Sequence, residues 1–156
     1  MIESILIISK TGILRFIKIY SKNDKSLNKT ELINNILINI QKSENTQIIY
    51  DFPYINNEKR KLVYKSFGGI YLVLIIDECE NELASLDFIN VIMKVFDEIF
   101  KGVCEIHMIV NPDKLYFIID EMICGGIVIE TNKEDIIKNY NDKIKLDDNN
   151  YKYFSN

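Results

Sequence analysis

The sequence predicts an α+β domain built on an antiparallel sheet, on three observations. Five apolar segments of strand length, residues 2–8, 13–20, 46–52, 61–67 and 70–77, are separated by turns or polar stretches. The segments between the second and third of these, and after the fifth, instead repeat their apolar residues at steps of three and four. The chain has 156 residues, room for one domain of ordinary size and too few for two.

Residues 2–8 are almost continuously apolar, which suits a strand buried on both faces. Ser9, Lys10, Thr11 and Gly12 read as a turn, so residues 13–20, broken by Arg15 and Lys18, return as a hairpin. Residues 21–29 are polar. Leu32 or Ile33, then Ile36, Leu37 and Ile40, mark one face of a helix. A polar loop over 53–58 follows the third strand. Gly68 and Gly69 then join the fourth and fifth, since paired glycines take positive φ in a tight hairpin. The longest helix carries Leu83, Leu86, Ile89, Ile92, Phe96 and Ile99 at helical spacing, with Asp87, Asn90, Lys94, Asp97 and Lys101 as a narrow polar stripe. Phe88, Met93, Val95 and Phe100 widen its apolar arc past half the circumference, so it is expected to be buried on more than one side. In a domain of this size the second side is expected to meet a partner or ligand, with Phe88, Val95 and Phe100 as candidate interface residues.

Residues 103–110 are apolar with Glu105 and His107 interspersed. Asn111 as cap and Pro112 at the first position open a helix through Leu115, Ile118, Ile119 and Met122, which Gly125 and Gly126 end. Thr131 and Glu134 have capping-box spacing for a last helix over 133–145. The domain is expected to cover 1–146, with 147–156 a polar, fraying tail.

Composition narrows function. Ile occurs 30 times, Asn 17 times, and Lys outnumbers Arg 17 to 2, a skew expected of AT-rich codons. Net charge is −4 and the basic residues are spread along the chain, which argues against nucleic-acid binding. No apolar run approaches the ~20 residues that span a bilayer. Glu3 and the lack of a basic leader make the start a strand rather than a signal peptide. Cys79, Cys104 and Cys124 are odd in number and far apart, which suits a reducing cytosol.

Catalytic patterns are absent. His107 is the single histidine and reads as an ordinary packed or surface residue. There is no zinc spacing, no Walker loop and no dinucleotide fingerprint. Ser26 and Lys29 match the S-x-x-K spacing in a polar lead-in without supporting motifs, a coincidence. Asp77, Glu78, Glu80 and Glu82 cluster where a strand gives way to a helix, where they solvate a loop and favour the helix N-terminus. The expectation is a non-enzyme without metal or cofactor.

Several segments together resemble the small (sigma) subunits of clathrin-adaptor complexes. They are the first strand with Thr11-Gly12 and the run Arg15 to Tyr20; Leu62-Val63-Tyr64-Lys65 with Gly68-Gly69-Ile70-Tyr71-Leu72; Asn81 to Asp87; Val103-Cys104-Glu105-Ile106; Asp113 to Tyr116; and Asp120-Glu121-Met122. The resemblance covers residues 1–140 in order. Gly125 to Asn132 is most similar to the sigma subunit of adaptor complex 3; the zeta subunit of the COPI coat, which also has a Gly pair, is the alternative. The resemblance implies a longin-like fold: a five-stranded antiparallel sheet, helices on both faces and extra C-terminal helices. It implies a heterotetramer with delta-type and beta-type large adaptins and a medium (mu) subunit. It also implies vesicle-mediated protein transport at endosome, trans-Golgi and transport-vesicle membranes, contacted from the cytoplasm through the complex.

By the same resemblance, a surface for acidic dileucine signals on cargo tails falls on this chain. Gly68 and Ile70 come from the central hairpin, Met93 and Val103 from the long helix and its end, and Ile106 and Met108 from the next segment. These would line two apolar pockets, with Arg15 facing the acidic residue. Gly102 departs from the family, which usually has Asn there, a side chain able to bond the signal's backbone. A purely structural subunit without cargo binding is the alternative from another class.

Overall fold

A computed structural model describes residues 1–21, 28–43, 46–54 and 58–153, with side chains described as far as Leu146. Ser26 and Leu27, and with them the S-x-x-K match, lie outside the described residues. Five strands form one sheet: β1 (Ile2–Ser9), β2 (Leu14–Ile19), β3 (Ile48–Pro53), β4 (Lys59–Phe67) and β5 (Ile70–Ile76). Their spatial order is β2-β1-β5-β4-β3, with every neighbouring pair antiparallel. The two most apolar strands, β1 and β5, are adjacent at the centre, where both faces are covered.

The two-residue side-chain period of these strands divides the core in two. Leu6 and Ile8 of β1, Leu62 and Tyr64 of β4, and Val73 and Ile75 of β5 point to one face. Helix α1 (Lys29–Lys42) covers that face with Leu32, Ile36 and Ile40. Ile5 and Ile7, Val63, and Leu72, Leu74 and Ile76 point to the other. There they meet α2 (Glu82–Phe100), α4 (Pro112–Met122) and α5 (Lys133–Tyr153). The result is the α+β architecture expected, a five-stranded antiparallel sheet with helices on both faces.

Five local features differ from the reading of the sequence. Residues 103–110 contain a short helix, α3 (Glu105–Val110), entered from an extended Cys104 with no side-chain cap bond. At six residues it is too short for periodicity to reveal. Asn111 precedes α4 but makes no side-chain cap bond to it; its Nδ2 donates back to the His107 carbonyl oxygen at 3.4 Å. The Gly125–Gly126 pair does more than stop α4. With φ of 56° and 84° it turns a two-residue ribbon, β6 (Ile123–Cys124) against β7 (Ile127–Val128). At α5 the capping oxygen belongs to Asn132, which accepts from the Glu134 amide at 3.1 Å; Thr131 donates its own amide to Glu130. The same helix continues past 145 to Tyr153, because nothing in Leu146 to Tyr151 is Pro or Gly.

Candidate functional site

The central hairpin and α2 together form a groove. At the β4–β5 turn Gly68 holds φ 52°, and a side chain there would stand 4.0 Å from the Val103 carbonyl oxygen. The turn therefore lies against the stretch that leaves α2. That stretch begins with Lys101 in the left-handed region at φ 53°, followed by Gly102 at φ 112°, whose amide donates to the Asp97 carbonyl at 3.1 Å. Asn and Gly are the residues that enter positive φ most readily. Gly102 thus satisfies a backbone conformation that L side chains rarely adopt, and it offers no side chain to a ligand here.

The cleft between turn and helix has a volume of about 600 Å³ and is lined by Lys65, Phe67, Gly68, Asn90, Met93, Lys94, Asp97 and Val103. Asn90, Met93, Lys94 and Asp97 recur at steps of three and one on α2, so one face of the helix supplies one wall. Lys65 Nζ donates to Asn90 Oδ1 at 2.7 Å, bridging the two walls. The floor and turn are apolar or small, Phe67, Gly68, Met93 and Val103, while the rim carries Lys65, Lys94 and Asp97.

Arg15 reaches the same corner from β2. Its Nε and Nη2 both donate to Glu105 Oε1, at 2.8 and 2.5 Å. The other Glu105 oxygen lies 3.9 Å from where a side chain on Gly69 would begin, one residue from the groove. Ninety positions separate Glu105 from Arg15 in sequence, so no local pattern reveals the pairing. Beside it on α3, His107 stacks on Phe100 with 5.8 Å between ring centroids, and its Nδ1 is 3.3 Å from Cys104 Sγ.

The remaining expected residues are placed differently. Gly68, Met93 and Val103 come together as expected. Ile70 and Met108, each 1% exposed, are core side chains beneath the hairpin and do not line an open pocket. Ile106, 66% exposed, points to solvent outside the cleft. Phe88, Val95 and Phe100 are corrected as interface candidates, because all three are buried within this chain. The sheet takes one part of the wide arc of α2, and α5 with the α3–α4 segment takes the rest. Exposed aliphatic side chains lie elsewhere, among them Leu83; Ile106, Ile109 and Val110 of α3; and Ile127 and Ile129 around the β6–β7 ribbon.

The acidic cluster is occupied by cations of the chain itself. Asp77 and Glu80 take the Met1 ammonium at 2.7 and 2.5 Å. Glu82 pairs with Lys61 at 2.8 Å, and the hydrogen bond from that ammonium holds its carboxyl below the ordinary value of 4.5. These carboxylates fasten the start of β1 and of α2 to the sheet.

The comparisons with known proteins bear on the chain as a whole. The model of the clathrin adaptor complex small chain matches residues 1–147. The AP-3 complex subunit sigma of Dictyostelium discoideum is 32% identical over 94% of this chain and 88% of its own length. The AP-3 complex subunit sigma of Arabidopsis thaliana is 30% identical over 94% and 89%. The human AP-4 complex subunit sigma-1 is 32% identical over 88% and 92%. Among structures, a chain from a homology model of the full-length AP-3 complex in a stretched open conformation superposes with a TM-score of 0.70 at 26% identity, covering 98% of this chain and 99% of that one. With one continuous match over both strand-rich and helical halves, and an element order that superposes end to end, this chain belongs to the clathrin adaptor complex small-chain family.

Proposed function

We propose that this chain is the sigma subunit of a type-3 adaptor complex in vesicle-mediated protein transport, and that its groove helps to hold acidic dileucine signals of cargo tails. As a member of its family it is a structural trafficking subunit and not an enzyme. The AP-3 sigma chains among its relatives support the type-3 assignment. The partners in this reading are a delta-type and a beta-type large adaptin and a medium subunit. The complex works from the cytoplasm on endosome, trans-Golgi and vesicle membranes. No helix among the described residues is long and apolar enough to cross a membrane. In this reading, contact with the bilayer runs through the complex and its cargo.

One observation carries the cargo reading. Gly68, Met93 and Val103, far apart in the chain, line one cleft, and at the adjoining Gly69 lies Glu105, the partner of Arg15. A volume of about 600 Å³ is in the range of ligand clefts. Two leucines leaving water contribute ~3–6 kcal/mol gross. Ordering a flexible tail offsets much of this, which gives micromolar binding at about −8 kcal/mol once hydrogen bonds and charge are added. Met93 is a pliable lining that accommodates Leu or Ile alike.

The test is binding of an acidic-x-x-x-Leu-Leu peptide to the assembled complex. Val103→Ser is expected to weaken it at least about tenfold, a loss of ~1.4 kcal/mol. Unchanged binding would remove the cleft from the proposal. The burial of Ile70 and Met108 favours a second reading, a scaffold subunit with no cargo site. Failure of the unaltered complex to bind the peptide would favour that reading. Co-purification with delta-type adaptin, rather than with coatomer chains, tests the type-3 assignment separately.

A further inference from the structure

We infer that Glu105 sets the specificity of the groove by acting as an internal counterion for Arg15, which a signal's acidic residue must displace. The inference rests on the cargo reading above and goes further, because that reading gives Arg15 a role and Glu105 none. The pair is built to open. Both guanidinium donors, Nε and Nη2, converge on a single carboxylate oxygen. The two parallel bonds that make Arg–carboxylate pairs strong are therefore not formed, and an incoming carboxylate can supply them. The two side chains are 21% and 32% exposed, so water and ligand reach them.

The position of Glu105 adds a second effect. Its free oxygen faces Gly69, at the turn that borders the cleft. A signal placed with its leucines between Gly68, Met93 and Val103 brings its own carboxylate towards the same guanidinium, where it meets Glu105 as a like charge. Exchange of one carboxylate for another gains little. The unaltered site is therefore expected to read the two leucines well and the acidic residue weakly.

The experiment uses the assembled complex and two fluorescent peptides, one with Glu and one with Gln at the acidic position. Glu105→Gln is expected to tighten the Glu peptide about fivefold or more and leave the Gln peptide unchanged. The gain should shrink as salt rises, as it must if charge is its origin. Glu105→Ala, which cannot bond Arg15 at all, should move the same way, and Arg15→Gln should erase the difference between the peptides. If both peptides bind and Val103→Ser abolishes binding, yet Glu105→Gln weakens the Glu peptide or changes neither, Glu105 only positions Arg15 and the inference falls alone. If neither peptide binds any form of the complex, the cargo reading falls and takes the inference with it.

Discussion

Both arginines of a chain that otherwise relies on lysine direct their guanidinium to glutamates. Arg15 meets Glu105, while Arg60 reaches Glu3 at 3.2 Å and Glu58 at 2.5 Å. The planar fork lets one side chain serve two acceptors, which an ammonium does with less geometric precision. Glu3 is a buried carboxylate at the start of the central strand β1. Arg60→Ala leaves it without its cation and is expected to lower stability by ~1–3 kcal/mol in urea unfolding, with Arg60→Lys recovering only part. Gly126 is the other residue whose identity is fixed locally. Its φ is 84°, and a side chain there would come within 2.4 Å of the Ile2 carbonyl oxygen. Gly126→Ala must shift backbone against backbone, with an expected loss of ~1–3 kcal/mol read as a lower thermal midpoint.

Among the elements, α5 combines two different halves. Ile136 and Tyr140 in its first turns are buried against the α2–α4 layer, and Lys143 Nζ sits 3.9 Å from the centre of the Phe117 ring. Leu146, by contrast, is exposed. Ile136→Ala is expected to cost ~2–4 kcal/mol, because the surrounding core cannot collapse on the void. Leu146→Ala should change stability by less than about 0.5 kcal/mol. Amide exchange should show the same division, with strong protection through Tyr140 and little beyond residue 145. Helix α2 shows how periodicity can mislead about partners. Its apolar arc is wide because it is covered by the sheet and by other helices of the same chain.

At the scale of the whole molecule, β1 and β5 form the central plane and the helices enclose it on both sides. Ion pairs fasten the margins of this arrangement. Lys61 on β4 holds Glu82 at the first turn of α2, and donates to the Glu80 carbonyl at 3.0 Å. Hydrogen bonding to Lys61 lowers the Glu82 pKa in the folded chain. A group with a lowered folded pKa stabilises the fold above its unfolded value and loses that contribution as pH falls through the folded value. The urea midpoints of the unaltered chain and of Lys61→Met should therefore differ at neutral pH. They should converge as pH falls through 4.5 and below. A constant gap across that range would show that the pair is not the source of the difference.

The five strands, their hairpin turns and the long helix were legible because each is written locally, in side-chain period and in glycine placement. The continuous apolar run 2–8 implied burial on both faces, and the structure gives Leu6 and Ile7 to the two separate cores. The family could be read from short motifs kept in order, since order along the chain is a property of sequence. What the sequence could not hold is which apolar residue is covered and by what. Phe88, Val95 and Phe100 looked like surface awaiting a partner, and the chain's own helices bury them. Ile70, Met108 and Ile106 looked equivalent as pocket lining, yet two are core and one faces solvent. The partner of Arg15 lies 90 residues away and the groove draws on β4, α2 and the stretch after it. Burial and pairing across such distances arise only when packing brings separate elements together, so the sequence by itself determined the elements and the family, and the tertiary structure decided the site.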